Sequence, residues 1–181
     1  MSPLRSLLRA AAVVGVSGSR APSPASVAAL RAVLPLTTGT VAVGCARGID
    51  QVARRLVPAS RRLVFRAQSG RSGHLAVRSI ACVRQVAAAA SQPGGSLWLS
   101  FPSAACPAGL ALSPSPSVCF RGLGSGTWAS AALARGLGLP VLLCMPVGVA
   151  CPAGWGFTAL GSASGVAWHF AAGSVSGSLF A

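Results

Sequence analysis

The sequence predicts an α/β protein: a doubly wound, mostly parallel sheet of about five strands with helices on both faces. Three observations carry this expectation. Short apolar runs alternate along the chain with stretches whose apolar residues recur at helical spacings of three and four. The runs are apolar throughout, as expected of strands covered on both sides. Polar turns rich in Gly and Ser join several runs to the helical pattern that follows, and right-handed crossovers then distribute the helices over both faces of one sheet.

Val13 to Val16 forms the first predicted strand, closed by Ser17-Gly18-Ser19-Arg20. Pro24 opens a helix with Val27, Ala28, Leu30 and Leu34 at helical spacing; Ser23 is suited to cap it and Pro35 ends it. Thr40 to Val43 is a second strand, followed by Gly44-Cys45-Ala46-Arg47-Gly48 and a helix from about Ile49 to Val57. Leu63 to Phe65 is a third strand. A polar loop over Gln68 to Gly73 leads into a helix from about His74 to Ala90, with Ala76, Ile80, Val83 and Ala87 on one face. Ser96 to Phe101 is a fourth strand, and residues 102–123 form a loop rich in Pro, Ser and Gly. Gly124-Ser125-Gly126-Thr127 opens a helix through Leu137, and Pro140 to Met145 is a fifth strand.

This pattern divides the chain into an N-terminal extension over 1–12, one domain over 13–147 and a low-complexity tail over 148–181 rich in Gly, Ala and Ser with scattered aromatics, part of which could pack back on the domain while its end is expected to be loose. The apolar stretch from Ala10 to Val16 is short and runs straight into a turn, so it reads as a strand rather than as a leader peptide. The stretch from Leu137 to Phe157 is interrupted by Pro140, Pro146 and Pro152, which argues against a membrane-spanning helix. The expectation is a cytoplasmic protein with no membrane partner.

Charge sets the limits on chemistry. The 181 residues carry fifteen basic side chains and one acid, a net charge of +14, while 52% are hydrophobic. All the basic residues are Arg and the acid is Asp50. One carboxylate excludes a mechanism that needs two, and it excludes magnesium or calcium cages built from acidic side chains. So lopsided a charge points instead to phosphates, nucleic acid or another anion. It is also uneven: residues 1–90 hold 13 Arg and Asp50, a net of +12, and residues 91–181 hold only Arg121 and Arg135. Arg54, Arg55, Arg61, Arg62 and Arg66 cluster as an electrostatic footprint or a solvated face, and Arg71 and Arg78 are spaced to share one helix face. Few aromatic residues accompany them for base stacking.

In sheets of this type, ligands bind outside the carboxyl ends of the strands. Three turns fall there: Gly18-Ser19-Arg20, Gly44-Cys45-Ala46-Arg47-Gly48 and Gly124-Ser125-Gly126-Thr127. Small residues let the backbone approach an anion, N–H groups at a helix start point toward it, and Arg20 and Arg47 add forked donors. The candidate phosphate- or nucleotide-binding residues are therefore Gly18, Ser19, Arg20, Gly44, Ala46, Arg47, Gly48, Asp50, Gly124, Ser125, Gly126 and Thr127. Tight strand-to-helix turns alone would also account for any one of them. None is a Walker loop, since the chain has no Lys, and none matches G-x-G-x-x-G.

Asp50 lies in a first helical turn, where a carboxylate suits the dipole. It either caps that turn or pairs with Arg20 or Arg47; recognition of a ribose hydroxyl is the sharper alternative. His74 and His169 lack a neighbouring acid, so a Ser-His-Asp triad is unsupported and no catalytic residue is assigned. The six Cys lack C-x-x-C spacing, so no metal site is expected; Cys106 and Cys119 flank the long loop and could close it as a disulfide. Cys82 and Cys144 read as buried small hydrophobes. No cofactor is called for, and the oligomeric state stays open between monomer and homodimer.

The segment Gly44-Cys45-Ala46-Arg47-Gly48-Ile49-Asp50 resembles the motif of DNA-processing proteins of the DprA/Smf type. Val14-Gly15-Val16-Ser17-Gly18-Ser19-Arg20 looks like that family's opening strand and turn. Gly124 to Ala131 with Gly138-Leu139-Pro140-Val141 looks like its later turn, helix and strand. The resemblance covers about 13–147. It implies a Rossmann-like domain of the SLOG superfamily whose rim binds single-stranded DNA, or alternatively a nucleotide or nucleotide-sugar as a sensor. The lonely-guy enzymes of that superfamily use a P-G-G-x-G-T signature and a Glu. The chain has neither, so phosphoribohydrolase chemistry is not implied.

Overall fold

The computed structural model describes residues 3–68, 73–91 and 93–174. The polar loop and Arg71 fall largely outside these residues. Within them the chain is an α/β protein built on one mixed sheet of seven strands. Helix α1 (Pro3–Ala10) precedes β1 (Val13–Gly18), and α2 (Pro24–Val33) joins β1 to β2 (Thr40–Gly44). Then come α3 (Ile49–Leu56), β3 (Arg62–Phe65), α4 (His74–Ala88), β4 (Ser96–Phe101), the short α5 (Pro116–Cys119), α6 (Gly126–Gly136) and β5 (Val141–Pro146). Strands β6 (Thr158–Ala163) and β7 (Val166–Ala171) complete the sheet.

The strand order is β3-β2-β1-β4-β5-β7-β6. The first five strands pair in parallel, while β7 runs antiparallel to both β5 and β6. Each predicted element of the parallel block is present with ends within two residues of expectation. Ser23 caps α2 by accepting from the Ser26 N–H at 3.1 Å, and Pro24 occupies the first turn, where no N–H partner is needed.

Alternation along the strands builds two cores. Val14, Val16, Val41, Val43, Leu97 and Leu99 face α1, α2 and α3, which contribute Leu8, Leu30 and Ile49. Trp98, Val141, Leu143 and Met145 face α4 and α6, which contribute Val83, Val86, Trp128 and Leu133. Gly15 sits beside Trp98 in register, and a Cβ there would stand 2.2 Å from the indole; the missing side chain seats the ring. On α4 Cys82, Val83 and Val86 are buried, and Ile80 and Ala87 of the predicted stripe pack half-buried against the same core.

One expectation is corrected here. The sheet has seven strands rather than about five, because the segment read as a low-complexity tail packs back on the domain and supplies the β6–β7 hairpin. The hairpin is held by burial of Val166 and Trp168, with Trp168 edge-on to Phe101 at 6.0 Å. Residues 3–10, expected as an extension, form a helix whose Leu8 is fully buried in the first core. No helix among the described residues is long and apolar enough to cross a membrane.

Candidate functional site

Strands β1 and β4 are neighbours whose onward connections leave in opposite directions, toward β2 and toward β5. The crevice at their carboxyl ends is where such a sheet leaves room for a ligand. A cavity of about 840 Å³ opens there. All three predicted turns reach it. Gly18, Ser19 and Arg20 line it after β1, Ala46, Arg47 and Asp50 after β2, and Gly124, Ser125, Gly126 and Thr127 at the start of α6. The lining also includes the apolar side chains of Leu75, Leu110, Phe120, Leu123 and Trp128.

Two predicted residues stand behind the cavity instead of lining it. Gly48 adopts φ +75°, and a Cβ there would lie 2.3 Å from the Ser19 carbonyl oxygen. That close approach draws the first two turns together, and the Ile49 N–H donates to the same carbonyl at 3.1 Å. Gly44 faces inward, and a Cβ on it would collide with the Arg78 guanidinium and stand 2.4 Å from Asp50 Oδ2. Both are glycines for reasons of space or backbone angle rather than ligand contact.

Asp50 pairs with neither Arg20 nor Arg47. Its Oδ2 accepts from Arg78 Nη1 at 2.7 Å and from the Ala46 N–H at 3.2 Å. The reason is orientation: Asp50 is 4% exposed and points inward toward α4, whereas Arg20 and Arg47 lie exposed at the mouth. Burial raises the Asp50 carboxyl above its ordinary value, against the lowering influence of Arg78, the Ala46 N–H and Arg54. The turn is clamped from its other side by Arg54, which donates to the carbonyls of Gly44 at 2.5 Å and Ala46 at 3.0 Å.

This use of Arg recurs. Arg61 donates to the carbonyls of Thr37 and Gly39, and Arg62 to those of Arg54 and Val57. Three members of the predicted electrostatic footprint, Arg54, Arg61 and Arg62, are therefore engaged inside the fold, with backbone oxygens taking the place of the missing acids. Arg55 and Arg66 remain exposed.

The predicted set omitted the cavity floor. Arg78 arrives there from α4, Ser79 follows it, Ser17 comes from β1 and Ser130 from α6. Ser17 Oγ accepts from Trp98 Nε1 at 3.2 Å and shares a hydrogen bond with Ser100 Oγ, while Ser130 Oγ donates to the Gly126 carbonyl. Spacing placed Arg78 on a helix face, but no local signal tied it to Asp50, 28 residues away. The loop after β4 is fastened by Trp128 Nε1, which donates to the Ala104 carbonyl at 2.9 Å, and Trp128 stacks edge-on against Trp155 at 5.8 Å.

Cys106 and Cys119, whose pairing the sequence left open, are both free thiols. Cys119 turns inward beneath the loop, toward the carbonyls of Ser113 and Ala111. Among the described residues no group of three His, Cys, Asp or Glu converges on a common point. His169 sits on β7, in register with Leu143, and is not among the residues around the cavity. The arrangement supplies anion donors, hydroxyls and apolar side chains.

Comparison of the chain with protein-family models, curated proteins and solved structures gives no match.

Proposed function

We propose that the chain is a non-catalytic nucleotide-binding domain of Rossmann-like, SLOG type. The observation that carries this reading is the convergence of the three turns on one cavity. Arg20, Arg47 and the start of α6 offer phosphate donors, and Leu75, Phe120 and Leu123, which keep part of their surface exposed, offer apolar surface for a base. The commitment of Arg54, Arg61 and Arg62 to internal carbonyls also favours a compact ligand over a long nucleic-acid track.

A second reading, a DprA-like module that binds single-stranded DNA on the same rim, is favoured by the exposed Arg20 and Arg47 in the cavity together with further exposed arginines, Arg55, Arg66 and Arg84, outside it. One titration series tests both. Nucleotides should raise the melting temperature at low salt, and Arg47→Ala should weaken binding about tenfold while Arg84→Ala leaves nucleotide binding unchanged. If a labelled oligonucleotide binds with steep salt dependence and nucleotides do not compete, the DNA reading replaces the first. If neither ligand binds, both readings are lost.

A further inference from the structure

The charge of the cavity is divided by depth. Four charged side chains line it, Arg20, Arg47, Arg78 and Asp50, a net of 3 − 1 = +2. Arg78 and Asp50 lie inside, with side chains 10% and 6% exposed, and neutralise each other at 2.7 Å. The inner end is therefore polar but uncharged, with Ser17, Ser79 and Ser130 beside the pair. The whole +2 belongs to Arg20 and Arg47, which are both exposed.

Those two cations start from one place. A Cβ on Gly48 would stand 2.7 Å from Arg20 Cα, and Arg47 is the residue before Gly48. The two side chains spring from backbones in close contact. Neither guanidinium is engaged in a hydrogen bond or ion pair among the described residues, whereas Arg54, Arg61 and Arg62 are held by carbonyls. Two unengaged forks with a common origin suit one anion between them. A phosphate placed deeper would lose hydration and meet only the neutral pair, which is the costlier arrangement.

A phosphate held at the mouth keeps one side toward solvent, so a second ester arm can leave it without meeting the wall. The volume allows more than a mononucleotide: about 840 Å³ lies in the upper part of the roughly 300–1,000 Å³ range of small-molecule sites. We infer that the ligand lies with its uncharged part inside and its phosphate between Arg20 and Arg47, and that the site accepts nucleotides whose phosphate carries a second ester group. This deepens the nucleotide reading and rests on it. The class includes pyrophosphate diesters, such as a nucleoside diphosphate joined to a sugar, and the phosphodiester beside a strand end. A pyrophosphate diester carries two negative charges, which matches the pair of arginines.

The test is calorimetry on the full chain with uridine and adenosine series: the 5′-monophosphate, its methyl ester, the 5′-diphosphate glucose ester and a trinucleotide. The monophosphate and its methyl ester should bind within about threefold of each other, since the extra charge of the monoester is screened at the mouth. The glucose ester should bind at least as tightly as the methyl ester. A trinucleotide that binds tighter than the glucose ester identifies a strand end as the source of the esterified phosphate, and the reverse order identifies a small nucleotide. The double variant Arg20→Ala/Arg47→Ala removes exposed side chains only, and circular dichroism checks its fold. It should weaken the monophosphate and the methyl ester by the same factor, about tenfold or more. A methyl ester more than tenfold weaker than the monophosphate, or a glucose ester that does not bind, overturns the inference and leaves the nucleotide reading standing. A folded double variant that keeps its affinity for the methyl ester also overturns it. Failure of every probe to bind removes both.

Discussion

Replacing the Asp50–Arg78 pair separates what stabilises this domain from what the site requires. At 2.7 Å the attraction between the two charges is about 6 kcal/mol for an effective dielectric constant of about 20. Asp50 is 4% exposed and the Arg78 side chain 10%, so each charge has also lost most of its hydration, at several kcal/mol per ion. The two quantities nearly cancel. Arg78→Met should therefore cost about 3–5 kcal/mol, because Asp50 keeps only the Ala46 N–H, and Asp50→Leu should cost a similar amount. The double variant should lie within about 1 kcal/mol of wild type or exceed it, the N–H of Ala46 losing its acceptor. Urea denaturation of the ligand-free protein measures all four species, with the urea slope m constant as the check on two-state unfolding. In melting temperature each single change should lower the midpoint by roughly 6–20 °C. Strictly additive single effects below about 1 kcal/mol would refute the buried pair. A double variant as unstable as the worse single one would show that the pair contributes net stability rather than holding Arg78 in place.

Acid titration should be unusually simple, since Asp50 is the only side-chain carboxylate. Its raised value means that its favourable contribution is present below the ordinary 3.8 and is lost as pH rises through the folded-state value. Burial lowers His169 from 6.5, so its contribution is present above that value and is lost as pH falls through the folded-state value. Stability should dip on the way down from neutral pH and partly recover in acid. Asp50→Asn should abolish the recovery and His169→Gln the dip, as read by denaturant midpoints at a series of pH values. Arg135→Met should cost about 2–4 kcal/mol and expose residues 148–174 to limited proteolysis, because Arg135 donates to Leu139, Trp155 and Ala172 carbonyls. Burial pushes the Cys82 and Cys144 thiols up to about 12, so neither should react with iodoacetamide at pH 8 before unfolding, as mass spectrometry of the labelled protein would show.

The five-strand parallel block, its helices and the three glycine turns were readable from sequence because each rests on local rules. Uniform apolar runs mark strands covered on both faces, Ser23-Pro24 marks a helix start, and Gly-Ser turns mark strand ends. The hairpin was not readable. Thr158-Ala-Leu-Gly-Ser-Ala has little strand preference of its own, and its place in the sheet depends on pairing with β7, whose Val166 and Trp168 are buried against a distant core. The charge pattern was visible, but its use was not, because a guanidinium that caps a carbonyl and one that faces solvent look alike in sequence.

The sequence by itself determined the fold class, the single acid, and the turns that could meet an anion, since composition and short spacing set these. Only the tertiary structure decided that Asp50 turns inward to Arg78 while Arg20 and Arg47 remain at the mouth, and that Arg54, Arg61 and Arg62 serve the backbone. The physical reason is that ion pairing and carbonyl capping act through space, over distances that chain separation does not encode. The Asp50–Arg78 contact spans 28 residues of sequence and 2.7 Å of space, and it supplies the floor of the candidate site.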